Sequence, residues 1–272
     1  MLTSAFVGMA TRKIKVGPIA LLLPLYDPIR LAEDSSYLNI VLNGRLRICF
    51  AAGYNPADLS LFEVNRGHLK NLFASTLRTV YRCWSESSSR SDRSDRLLSV
   101  TPKPATPIPI LIGTWSHGGL KRALGSSGGW VCSTFVPMGH VERLLAYFRR
   151  HSKGENKKPY AACIRETWVD TNRKRALSVA CKHHGRIHKS LLNSGNYPWR
   201  YPRGRIEDYV TDNMIVGDVD DCIEQVRKLR AIGFDEVICR FRQTDGPDIG
   251  KTVDSLKLFG SQIIPVFRRM RR

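Results

Sequence analysis

Apolar positions along this chain follow two rhythms, short unbroken runs and stripes that recur every three or four residues. The runs predict strands buried on both faces, as in parallel sheets, and the stripes predict amphipathic helices. Ile14–Leu23 is such a run, ended by Pro24; Asp27 then caps a helix opened by Pro28, with Leu31, Ala32, Ser35 and Leu38 on its inner face. The Asn43–Gly44 turn leads to a second strand, Leu46–Ala52, which ends in Gly53–Tyr54. After a loop from Asn55 to Asn65, a long helix carries Leu69, Leu72, Phe73, Thr76, Leu77, Val80, Tyr81 and Trp84 on one stripe.

Ile108, Ile110, Leu111 and Ile112 form the next strand, between Pro107 and Gly113. A further strand runs from Val131 to Val136, and Val141, Leu144, Leu145 and Phe148 mark an amphipathic helix. Tyr160–Val169 is a strand, whereas Arg173–Tyr209 starts helically and becomes an aromatic excursion around Tyr197, Trp199 and Tyr201. Asp218 caps a helix with Asp221 three residues on, and Val219, Cys222, Ile223, Val226 and Leu229 face inward. Gly233 stops it, Asp235–Phe241 returns as a strand, and a last helix points Val253, Leu256, Phe259, Ile263, Ile264 and Phe267 inward. Six strands alternating with helices imply a parallel α/β sheet with right-handed crossovers.

The punctuation after Ile112 carries candidate chemistry. Gly113, Thr114 and Ser116 precede a helix opening near His117–Leu120, so backbone N–H groups and a positive helix end converge beyond the strand. That suits an anion such as a cofactor phosphate, although a glycine turn that merely joins strand to helix is the plainer reading.

Composition modifies this picture in three places. The chain has 272 residues, with 43 Lys and Arg against 24 Asp and Glu, a net charge of +19. That charge attracts nucleic acid, acidic membranes or phosphorylated ligands, but it is scattered and reads first as a solvated surface. Ser85–Arg96 has no apolar residue, so 85–99 is expected to be a flexible Ser/Arg-rich excursion. Seven cysteines without any C-x-x-C pair read as buried free thiols. With no bilayer-length apolar run and no charge-first leader, the expected place is the cytoplasm, away from membrane. Cys181, His183, His184 and His188 mimic a metal site; among Lys182, Arg186 and Lys189 they read instead as a solvated helix face, with no metal.

Laid out in order, the chain resembles the bacterial luciferase-like monooxygenases, flavin- or deazaflavin-dependent oxidoreductases built on a (β/α)8 TIM barrel. The resemblance rests on ATRKIKVG with LLLPLYDPIRLAED, NGRLRICFAAGYNPADLSLFEV, Arg66–Gly67 entering the long helix, PILIGTWSHGGLKRA with GGW, and IVGDVDDCIEQVRKLRAIGFDEVICRF with SLKLFGSQIIPVFR. It implies one luciferase-like domain over 1–272, truncated at its N-terminus, with about six of eight barrel strands. It further implies that Leu23 and Pro24 border the flavin ring, that Gly53 and Tyr54 approach it, and that Gly113, Thr114 and Ser116 hold its phosphate. Trp115 stands where the family's turn has a small residue, and Gly128–Gly129–Trp130 replaces its Asp-Gly-Trp. No histidine falls at the family's active-site position, so no catalytic acid or base is assigned.

The function implied is oxidation of a small organic substrate with reduced FMN, or alternatively a deazaflavin coenzyme. A flavin reductase as electron donor and a homodimer are the implied partners. The alternatives are a non-catalytic or degraded homologue and, from the charge, a basic nucleic-acid-binding module.

Overall fold

The computed structural model describes residues 1–85, 99–126, 129–152, 159–242 and 246–269. Most of the expected Ser/Arg-rich excursion, 86–98, lies outside them. The chain forms two compact units, Met1–Trp130 and Val131–Arg272.

The first unit opens with α1 (Leu2–Met9), followed by β1 (Ile19–Leu22), whose Ile19–Ala20 peptide is cis. β1 is shorter than its apolar run because Val16 leaves the ladder, bridging only to Leu46. Leu23–Leu25 form a single 3-10 turn before α2 (Pro28–Val41). The Asp27 carboxylate caps α2 by accepting from the Arg30 N–H, and the inward face is the one read from the pattern. β2 (Ile48–Ala51), α3 (Pro56–Leu61) and α4 (Leu69–Ser85) follow. α4 buries Phe73, Thr76, Val80 and Cys83, a narrower stripe than predicted. β3 (Ile110–Gly113) and α5 (His117–Leu124) complete the unit, and β4 (Gly129–Cys132) carries the boundary. β1 pairs with β2 and β2 with β3, both parallel; β2 and β3 are almost fully buried, whereas Ile19 and Ala20 leave β1 half exposed, against the expectation of a strand buried on both faces.

The second unit continues with α6 (Met138–Arg150) and the nine-residue β5 (Ala161–Val169). The Arg173–Tyr209 region, read as helix plus excursion, resolves into α7 (Arg173–Ala180), a π turn at Cys181–Gly185, α8 (Arg186–Asn193) and α9 (Ile206–Asn213). Met214–Gly217 contributes a strand the pattern did not count, β6 (Ile215–Gly217), bringing the described strands to seven. α10 (Val219–Ile232) begins in a complete Asp218/Asp221 capping box, and β7 (Glu236–Arg240), α11 (Ile249–Leu258) and α12 (Ile264–Arg269) close the chain. β5 pairs in parallel with β7 along its first half and with β6 along its last three residues.

The last helical segment corrects the predicted stripe. Phe259 and Ile263 are buried, but Val253, Leu256 and Ile264 are exposed. The buried positions, Phe259 and Ile263, are the two ends of a π turn, while Leu256 before it and Ile264 after it are turned away from the core. Leu256, Ile264 and Phe267 instead line an apolar groove of about 970 Å3 beside β7, with Val226, Val237 and Phe241. Among the described residues no helix is long and apolar enough to cross a membrane, and all seven cysteines are free.

The described strands number seven, and those whose pairing is resolved run parallel, against the eight of the complete barrel that the resemblance implies.

Candidate functional site

Strand register determines what meets in the first unit. Leu22 is level with Ala51, and Ala51 with Gly113, so the segments leaving β1, β2 and β3 start at one height. Those segments contain every residue expected to meet a flavin. Leu23 and Pro24 are buried in the 3-10 turn after β1. Gly53, at φ +86, turns the chain after β2 with Leu22 and Leu59 packed where a side chain would start. Tyr54 and Trp115 meet with ring centroids 5.7 Å apart, tilted by 54°. The indole that replaces a small residue in the turn is thus laid against the neighbouring loop.

The turn after β3 is held from within and from beneath. The Ser116 hydroxyl caps α5 by accepting from the Gly119 N–H at 3.1 Å, and the Thr114 hydroxyl accepts from the Ser116 N–H at 3.2 Å. The two hydroxyl oxygens lie 3.3 Å apart. Each has one proton and only one proton fits between them, so the other is left to donate outward. The Gly118 N–H has no acceptor among the described residues, and a Cβ at Gly118 would meet nothing within 4 Å. Beneath, the fully buried Trp130 donates its indole N–H to the Thr114 carbonyl at 2.8 Å. Burial pushes the nearby Cys49 thiol up to about 12, so it serves as neutral packing. An uncapped N–H, an outward hydroxyl and the positive end of α5 together make a set of donors of the kind that an anion such as phosphate accepts from.

The second unit contains a constellation that the sequence reading missed. On β5, Arg165 and Glu166 point to opposite faces, as neighbours in a strand must. Arg165 is 1% exposed and donates to the Ser133 and Ile164 carbonyls. Glu166 is fully buried, and its register partner on β7 is Arg240. Arg240 donates through Nε at 2.9 Å and also through Nη2 to Glu166 Oε1. His188 Nε2 lies 3.3 Å from the same oxygen, and His184 Nδ1 lies 3.2 Å from Oε2. Tyr209 Oη is 2.9 Å from His188 Nδ1.

These two histidines correct the solvated-face reading, since both are 0% exposed. His188 is buried with Glu166 as an acceptor in the core, so a neutral imidazole there satisfies its N–H without water, whereas the His184 ring lies beside Glu166 Oε2 without a hydrogen bond of its own among the described residues. Among the described residues no group of three or more His, Cys, Asp or Glu side chains is arranged to hold a metal ion.

Burial alone would raise the Glu166 carboxyl, but the donors on His184, His188 and Arg240 hold it far below the usual carboxylate range. Burial lowers His188, partly offset by Glu166. A carboxylate only accepts, so the neutral ring carries its proton on Nε2 and leaves Nδ1 to accept from the Tyr209 hydroxyl. The sequence signal was the charged pair Arg165–Glu166 inside an otherwise apolar run.

Comparison with known proteins agrees with this architecture. Residues 1–236 match the family described as luciferase-like monooxygenase. The alkanal monooxygenase alpha chain of Photorhabdus luminescens is 21% identical, in an alignment spanning 99% of this chain and 83% of that one. Among solved structures, monooxygenase RslO1 from Streptomyces bottropensis superposes with a TM-score of 0.83 at 17% identity, covering 98% of this chain and 82% of that one. The oxygenating constituent of 3,6-diketocamphane monooxygenase from Pseudomonas putida, in complex with FMN, gives 0.77 at 17% identity, with 97% and 82% covered. An F420-dependent secondary alcohol dehydrogenase, holding an F420-acetone adduct, gives 0.72 at 15%, with 96% and 81% covered. The chain belongs to the luciferase-like monooxygenase family.

Proposed function

We propose that the protein is a flavin-dependent oxidoreductase that oxidises a small organic substrate, with FMN as its cofactor and a deazaflavin coenzyme as the alternative. The observation that carries this reading is the turn after β3, where Gly118 N–H, one free hydroxyl proton of the Thr114/Ser116 pair and the N-terminus of α5 face outward together. Gly113, Thr114 and Ser116 would hold the phosphate, Gly53 and Tyr54 would approach the ring system, and Leu23 and Pro24 would support it from the end of β1. When bound, the reduced flavin supplies the electrons, either to activate O2 or to deliver hydride. The protein's part is to fix the phosphate, orient the ring and exclude water.

The electrons would come from a separate flavin reductase or with the reduced coenzyme itself. The exposed apolar residues Leu2, Phe6 and Met9 of α1 and Tyr37, Ile40 and Val41 of α2 support a homodimer, readable by sedimentation.

The test is a fluorescence titration of FMN, and of a deazaflavin coenzyme, against the wild-type chain and Gly119→Ala. A Cβ at Gly119 would fall 2.0 Å from Thr114 Oγ1, forcing the turn open while leaving the strands in place. Saturable quenching by wild type and at least roughly tenfold weaker binding by the variant are expected, the loss of one charge-assisted bond. If neither coenzyme is quenched by wild type, the oxidoreductase reading fails.

A further inference from the structure

The Glu166 cluster lies outside every residue assigned to the flavin, and it has an open side. Arg240 is the last residue of β7, so its guanidinium stands at the carboxyl end of the strand, the end at which barrels of this kind carry their chemistry. Its side chain is 36% exposed, while the carboxylate it grips is 0% exposed. Nε and Nη2 are both committed to Glu166 Oε1, and the guanidinium carbon sits 5.5 Å from the centroid of the Phe135 ring. Nη1 has no acceptor among the described residues.

An ordinary exposed arginine loses much rotamer freedom when it binds a ligand. This one is already held between a buried carboxylate and an aromatic ring, so its remaining N–H donors are preorganised. Its carboxylate partner is shared with three further side chains, because His184 and His188 approach it at 3.2 and 3.3 Å and the Thr134 hydroxyl donates to Oε1 at 3.5 Å. Glu166 therefore does not use its whole charge on Arg240.

We propose that Arg240 is the group with which the second unit receives a carboxylate or phenolate oxygen of the substrate, and that Glu166, His184 and His188 are its positioning residues. The inference rests on the oxidoreductase reading only for the word substrate. Binding of the anion needs no flavin and is measured without it.

The test is NMR of the flavin-free chain labelled with 15N-arginine, with benzoate as the probe and benzyl alcohol as its neutral counterpart. In wild type the Arg240 Nε–H resonance is expected to exchange slowly, because it is donated to a buried oxygen, and to shift saturably with millimolar benzoate. Arg240→Lys keeps the charge and removes the fork, and should weaken benzoate binding roughly tenfold or more. Glu166→Gln should leave a folded spectrum in which the Nε–H protection is lost.

The proposal is overturned if Nε–H exchanges freely in wild type or if benzoate produces no saturable shift. It is equally overturned if benzyl alcohol shifts the resonance as strongly, or if Arg240→Lys binds benzoate with unchanged affinity. Because no flavin is present, these results stand or fall separately from the FMN titration.

Discussion

Glu166→Ala is expected to lower the unfolding free energy by roughly 2–3 kcal/mol, less than for a fully buried ion pair because the Arg240 side chain left behind is 36% exposed. The carboxylate is fully buried, and its removal strands the Arg240 guanidinium together with the N–H of His188. Against a typical total of about 5–15 kcal/mol, this is a large share for one residue. Urea denaturation of the purified chain measures it. Should the variant fail to fold, Glu166→Gln combined with Arg240→Met removes both charges together, and it should recover most of the loss. A loss under about 1 kcal/mol in Glu166→Ala would mean that the cluster is surface decoration, contrary to its burial.

The same cluster sets a pH dependence. His188 has its folded pKa lowered by burial, so the unfolded chain takes up the proton first, and stability starts to fall as pH drops below about 6.5. Glu166 has its folded pKa depressed, so its contribution is complete above the usual carboxylate range and is lost as pH falls through and below about 4.3. Both effects act in one direction, and stability should decline in two stages on acidification. In Glu166→Gln the second stage should shrink.

Trp130→Phe is expected to weaken FMN binding by about tenfold with only a modest loss of stability, about 1–2 kcal/mol, because it removes one N–H donor and keeps most of the ring. Trp130→Ala would lose roughly 3–5 kcal/mol, since the indole is fully buried and leaves a cavity. The pair separates anchoring from packing. If Trp130→Phe bound FMN as well as wild type does, the bond to the Thr114 carbonyl would be irrelevant to the turn.

What the sequence made legible was whatever depends on local rhythm. The apolar run before Gly113, the Asp27 cap with Pro28, and the Asp218/Asp221 box are written within a few residues, and each appears where the pattern places it. The common height of Gly53, Thr114 and their neighbours was legible only through the family resemblance, because register between strands is a non-local property. Trp130 reaching back to Thr114 crosses sixteen positions and left no local signal.

The histidines were misread for a different reason. His184 and His188 sit among Lys182, Arg186 and Lys189, and a helix of that composition reads as solvated. Their burial depends on Glu166, a residue some twenty positions earlier on another element. The last helix failed because only Phe259 and Ile263 reach the core, and nothing local in the stripe marks Leu256, Ile264 and Phe267 as facing a groove instead.

The central claim is that the Gly113–Ser116 turn holds the phosphate of a flavin, and the comparison of FMN with riboflavin tests it most directly. The two ligands share the ring and differ in the phosphate. Titrated against the wild-type chain, FMN should bind at least roughly tenfold more tightly than riboflavin, and the difference should disappear in Gly119→Ala. Equal affinities of FMN and riboflavin for the wild-type chain would contradict the account.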